Sequence, residues 1–230
     1  MLSFSQDLLR GTSLSLSAAV ALVFLTTGLL GCENKDLDAL AQGQQCLDRA
    51  SEPIEAENCR QFVEGKTGPQ AMALACSIEF MAGGLTTKKI LDAVKAQDDA
   101  TDNKEANLMM VLALNDLDTA KDAVQFCNQS GVGGLIYLAN LSLIGTTLAS
   151  SIGFISVDGT PPTQAQIDDA LDKCKSSDPS CEPEVIGEAA LVLSESYCSG
   201  KDSEICKDIQ EAVARGATAE DIGRELLELI

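Results

Sequence analysis

Two long stretches of the chain carry no charge, and elsewhere apolar and polar residues interleave at helical spacing. The first uncharged stretch runs from Gly11 to Gly31 and is rich in Leu, Ala and Val; polarity returns at once with Glu33-Asn34-Lys35-Asp36. The second runs from Val124 to Val157, and within it Leu135, Leu138, Leu141, Ile144, Leu148 and Ile152 follow one another at intervals of three or four. Apolar residues recurring at that interval mark one face of a helix. The same spacing sets Leu37, Leu40, Ala41 and Leu47 on a helix over 36–50, ended by the turn Ser51-Glu52-Pro53-Ile54.

Further helices are predicted over 54–64, 70–81, 86–96, 104–114 and 117–128, broken by Gly65, Gly68, Pro69 and Gly83-Gly84. The most apolar helix spans 132–152. Asp158-Gly159-Thr160-Pro161-Pro162 then reads as a linker, and Thr163 to Gln166 as a capping box opening a helix to about Lys175. Helices over 183–197, 203–214 and 219–229 complete the pattern. No stretch alternates at a period of two for long enough to make a strand. The expected fold is all-α: a multi-helix bundle or irregular array of helical hairpins with about ten helices. Its first half occupies 37–157 and its C-terminal helices, 163–230, pack on that half.

Composition narrows the chemistry. The 230 residues include Asp+Glu 35 against Lys+Arg 16, for a net charge of −19, with no His and no Trp. Lacking imidazole, the chain has no histidine base, nucleophile or metal ligand. Its negative charge works against binding nucleic acid or anionic headgroups through a basic patch and favours basic partners.

The apolar run at 11–31, closing on small residues, reads as an export signal, although Asp7 beside Arg10 denies it a clear positive excess. Its end, Leu29-Leu30-Gly31-Cys32, resembles the lipobox of bacterial lipoproteins. In that family the cysteine thiol is diacylated with fatty chains of the palmitate kind, the peptide is cut just before it, and the new amine is usually acylated. The resemblance implies that 1–31 is a signal peptide, that Cys32 is the lipidated first residue, and that 32–36 is a short tether. It also implies a membrane anchor on the periplasmic side of the cell envelope. In the family's sorting rule, Asp after the lipidated Cys retains the protein at the inner membrane; Glu33 does not meet it, which tilts the expectation to the outer membrane. The alternative is an uncleaved signal anchor with an incidental cysteine. The resemblance ends at residue 32, and the mature domain suggests no named family.

Eight cysteines remain: Cys46, Cys59, Cys76, Cys127, Cys174, Cys181, Cys198 and Cys206. An even count in an exported chain indicates a disulfide framework, whereas zinc would call for CxxC pairs or His. Cys46 and Cys59 lie almost symmetrically about the turn at Pro53, so a bridge across that hairpin is reasonable. Cys174 and Cys181 flank one later turn, and Cys198 and Cys206 the next. Cys181 cannot reach Cys198 along a continuous helix: their separation is ~25 Å against a Cα limit of about 7 Å. By elimination Cys76 pairs with Cys127. A sixteen-residue gap shared by Cys59/Cys76 and Cys181/Cys198 hints at a repeat, but with eight cysteines offering many spacings coincidence is the better explanation.

The remaining candidates have bland readings beside functional ones. Helix 132–152 suits a bundle core, a ligand-cavity wall or a membrane span; its Asn140, Ser142, Thr146, Thr147, Ser150 and Ser151 favour the core. Gly131-Val132-Gly133-Gly134 is an anion cradle or a turn. Asp98, Asp99, Asp102 and Glu105 lack the spacing of a calcium loop, and Asp116/Asp118 and Asp168/Asp169 read as solvated turn or capping residues. No catalytic residue, cofactor or metal site is expected, and stacking platforms look scarce. The expected function is a membrane-anchored periplasmic adaptor or scaffold, non-catalytic, acting through contacts with an envelope protein. The alternative is a carrier of lipid or a small hydrophobic ligand, its cavity lined by helix 132–152 and Phe126.

Overall fold

In the computed structural model, residues 35–91, 103–155, 160–176 and 178–230 are described. The lipobox with Cys32, the acidic run at 98–102 and Asp158-Gly159 of the expected linker lie outside them. The chain divides into two units, 1–38 and 39–230; of the first, only the opening turn of one helix is described.

Among the described residues the elements are all helical: α1 (Lys35–Arg49), α2 (Pro53–Glu57), a 3₁₀ turn (Asn58–Phe62), α3 (Pro69–Ala82), α4 (Lys104–Val111), α5 (Leu117–Ser130), α6 (Gly133–Ser151), α7 (Gln164–Lys175), α8 (Pro183–Ser196), α9 (Glu204–Arg215) and α10 (Ala219–Leu229). Residues 87–91 are also helical. The expected single helix over 54–64 is instead α2 followed by the tighter 3₁₀ turn, the backbone tightening where Cys59 is tied to α1. Local sequence sets most helix starts. Pro occupies the first turn of α2, α3 and α8, where its missing N–H is not needed. Asp116 accepts from Thr119 N at 2.8 Å to cap α5, and Thr163 with Gln166 forms the expected capping box of α7. Thr218 and Asp221 make another for α10.

α6 is the axis of the bundle. Every residue from Ala139 to Ala149 is buried, and α4, α5, α7 and α8 pack around it. A helix surrounded by apolar neighbours cannot send its hydroxyls to water, so they bond back to the preceding turn. Thr147 Oγ1 donates to Leu143 O at 2.9 Å, Ser151 Oγ to Leu148 O at 2.7 Å, and Asn140 Nδ2 to Ile136 O at 2.8 Å. Thr146 does double duty: it donates to Ser142 O at 2.6 Å and accepts from Leu114 N at 2.8 Å, fixing the buried loop after α4. By length and hydropathy α6 could cross a membrane, but 67% of that window is buried inside the bundle. At Gly145 the backbone of α4 approaches so closely that a Cβ would overlap the Met109 carbonyl.

Four disulfides brace the framework in the pairing expected from the sequence. Cys46–Cys59 ties α1 to the 3₁₀ turn, and Cys76–Cys127 joins α3 to α5. Cys174–Cys181 and Cys198–Cys206 close the turns either side of α8. All four Cα separations, 4.9 to 5.7 Å, suit a bridge. The core has two parts. A large one is built from α3 to α10, and a small one contains Leu47, Ala56, Cys59, Leu74, Ile78 and Ala82.

The C-terminal helices hold the closest crossing. α8 and α10 begin with related pentapeptides, Pro183-Glu-Val-Ile-Gly187 and Ala219-Glu-Asp-Ile-Gly223. The two helices cross at these ends with near two-fold symmetry: a Cβ on Gly187 would overlap Ala219 O, and one on Gly223 would overlap Pro183 O. Gly187→Ala and Gly223→Ala are therefore expected to cost about 3 kcal/mol or more each by forcing the backbones apart. Gly134→Ala, where nothing lies within 4 Å, should be neutral or stabilising by up to about 1 kcal/mol. Urea unfolding midpoints of the three variants check this.

Candidate functional site

The apolar helix singled out by the sequence does not line an apolar cleft found among the described residues. This cleft, of about 450 Å³, lies between the 3₁₀ turn, α3 and α5, walled by Val63, Met72, Ala75 and Phe126, with Arg60, Glu64, Lys66 and Glu79 among its polar groups. Phe126 thus faces α3 and the loop after the 3₁₀ turn, and no residue of α6 takes part. α6 instead borders two smaller recesses. Tyr137 and Leu141 line one of about 210 Å³, and Thr146, Ala149 and Ser150 one of about 300 Å³ beside Phe154 and Ile155.

A charged pair anchors the inner end of the cleft. Glu79 is on the inward face of α3, its side chain only 4% exposed, and Arg60 reaches it from the 3₁₀ turn with 44% of its side chain exposed. The contact is two-pronged: Arg60 Nε to Glu79 Oε1 at 2.9 Å and Arg60 Nη2 to Glu79 Oε2 at 2.5 Å. That fork matches guanidinium to carboxylate geometry and satisfies both oxygens. The hydrogen bonds to Glu79 hold the Arg60 guanidinium above its ordinary range against the opposing effect of burial, and the Glu79, Glu57 and Asp122 charges add to that. The other charged groups lining the cleft are Glu64, exposed, and Lys66, half-buried, while Glu57 and Asp122 lie near enough for their charges to act on Arg60.

Two further constellations join residues that the sequence does not connect. Tyr137 of α6 stacks on Tyr197 at the end of α8, with centroids 4.0 Å apart, and Lys201 Nζ lies 3.9 Å over the Tyr197 ring. Burial, then the neighbouring Tyr197, raises the Tyr137 phenol. Lys89 is 3% exposed and donates from Nζ to Ala113 O at 2.5 Å. Burial lowers its amine to about 8. It stitches the 87–91 helix to the loop after α4.

The other sequence candidates have structural places. Gly131, at φ 68°, ends α5, and Gly131 to Gly134 is the α5–α6 turn. Asp116 is a cap, and Asp168, exposed on α7, accepts from Gln164 Nε2 at 2.8 Å. Among the described residues no group of His, Cys, Asp and Glu is arranged to hold a metal ion. Comparison of the chain with protein-family models, with curated proteins and with solved structures finds no match.

Two outcomes test the site's electrostatics. Arg60→Ala leaves a buried carboxylate without its partner and should cost about 3 kcal/mol, whereas Arg60→Met with Glu79→Leu should recover most of that loss; urea unfolding measures both. Lys89 gives a pH signature. Its native amine loses the proton near 8, but the unfolded one does so only near about 10.4. Between those values the unfolded chain binds more protons, so stability rises with pH. Relative to Lys89→Met, the wild-type chain should gain up to about 3 kcal/mol from pH 8 to 10.5, read from unfolding midpoints across that range.

Proposed function

We propose that the chain is a lipid-anchored, periplasmic, non-catalytic adaptor that holds a basic segment of a partner polypeptide in the cleft beside Arg60. The observation that carries this reading is the fate of α6: the helix a carrier would use to wall its cavity is buried throughout 139–149 as the axis of the bundle and borders two recesses of about 210 and 300 Å³. Room for a partner lies instead on the outside, between the 3₁₀ turn, α3 and α5.

The cleft's walls favour one kind of occupant. Val63, Met72, Ala75 and Phe126 offer apolar contact to an aliphatic stem, and the Phe126 ring face suits a nearby cation. Glu64 in the wall, with the Glu57 and Asp122 charges near Arg60, supplies the opposite charge within a chain of net charge −19. A Lys or Arg flanked by apolar residues meets both demands. The anchor rests on the lipobox at Leu29-Leu30-Gly31-Cys32, and the four bridges agree with an oxidising compartment. Acylation at Cys32 would confine the domain to a surface and raise its effective concentration near an envelope partner. The outer membrane is the preferred address because Glu33, not Asp, follows Cys32.

Two measurements test this. In cells, Cys32→Ser should abolish the mass added by acylation and move the protein out of the detergent phase. In vitro, a chain beginning at Glu33 should bind short Lys/Leu peptides but not their Glu/Leu counterparts. Affinity should fall with salt and at least about tenfold on Glu64→Lys with Asp122→Lys. Equal binding of both peptide types, or a lipid that co-purifies stoichiometrically in native mass spectrometry, would overturn the adaptor in favour of the carrier.

A further inference from the structure

We propose that the Cys46–Cys59 bridge is a site of thiol–disulfide exchange, opened in the native fold by a dithiol reductant of the thioredoxin class, and that opening it releases α1. This inference does not depend on the proposed function.

The four bridges differ in access. At Cys76–Cys127 and Cys198–Cys206 both partners are 0% exposed, and at Cys174–Cys181 they are 0% and 6%. Cys59 is equally buried, but Cys46 is only half-buried. It lies in the wall of an open groove of about 490 Å³ between α1 and the 3₁₀ turn. Exchange requires a thiolate to reach a sulfur, and among the four bridges this one borders such a groove. Arg49, three residues on along α1, lines the same groove and favours an incoming thiolate. Glu55, a carboxylate in the groove wall, is engaged by Ser51 N at 2.7 Å and Ser51 Oγ at 3.0 Å.

The chemistry closes without any group from the bundle. One thiolate of the reductant attacks Cys46 Sγ, and the Cys46–Cys59 bond breaks. Its electron pair leaves on Cys59 Sγ, which takes up a proton. The reductant's second thiol then attacks the mixed disulfide, releasing Cys46 as a thiol and closing the reductant's own bridge. The protein disulfide is reduced and the dithiol oxidised.

The consequence follows from how little else holds α1. Of its fifteen residues only Gly43 and Leu47 are buried, and they belong to the small core rather than to the cluster around α6. A helix of this length is marginal in water without packing. The bridge closes a short loop, of sequence separation 13, and so removes freedom that α1 would otherwise regain.

The test is stepwise reduction of the full chain with dithiothreitol in native buffer, quenched by alkylation and peptide mapping, with amide exchange followed in parallel. Cys46 and Cys59 should be labelled first, at least about tenfold faster than the other six. Exchange in 39–49 should then rise while 139–149 stays protected. Cys46→Ser with Cys59→Ser, retaining three bridges, should show the same fast exchange in 39–49 without reductant. Reduction of another bridge first, or of all four together, would overturn the exchange site. An opened bridge that leaves 39–49 protected would overturn the release.

Discussion

Burial of α6 throughout residues 139–149 is the constraint from which the rest of the structure follows. A helix in that position has no polar face, so its Ser, Thr and Asn side chains must find partners within their own backbone. Thr147, Ser151 and Asn140 do so one turn back. Ser142 Oγ and Asn140 Oδ1 are left without a partner among the described residues. Small side chains and Gly145 allow α4 to approach, and the hydroxyl of Thr146 holds the turn that follows it. Because α4, α5, α7 and α8 all contact this one helix, the segments before and after 156–159 share a core.

The disulfides divide the labour with that core. Cys76–Cys127 fastens two helices already packed face to face, while Cys174–Cys181 and Cys198–Cys206 fix the turns that aim α8 across α6. The two-fold crossing of α8 and α10 then depends on glycine, because only bare backbone lets the helices meet at that distance. In the N-terminal hairpin the balance reverses. Few apolar contacts are available there, and a covalent link takes over.

Helix positions and cysteine partners were legible in the sequence because both depend on local quantities: the interval between apolar residues, the residues that begin and end a turn, and the rise along a helix. Even Cys76–Cys127 could be reached by exclusion. What was not legible depends on how distant helices rotate against each other. Nothing near Arg60 announces Glu79, nineteen residues away, and neither Tyr137 nor Tyr197 carries a sign of the other. The burial of Lys89 is hidden likewise, since the second Lys of Thr86-Thr87-Lys88-Lys89 reads as surface as readily as the first. The α8–α10 crossing did leave a trace, the paired small residues Pro183/Gly187 and Ala219/Gly223, four apart in each helix. That Phe126 packs against the main core yet also lines a cleft away from helix 132–152 was hidden for a related reason. Its rotation about α5 turns it toward Arg60 and Met72.

The stack of Tyr137 on Tyr197 joins the chain's two tyrosines, and there is no Trp. The near-ultraviolet absorption and emission of this protein therefore come almost wholly from one spot, where the start of the central helix meets the end of α8. An optical melting curve would follow the docking of the C-terminal helices and be blind to events at the N-terminal hairpin. Two transitions, one silent to the phenols and one not, would separate the hairpin from the body without any label.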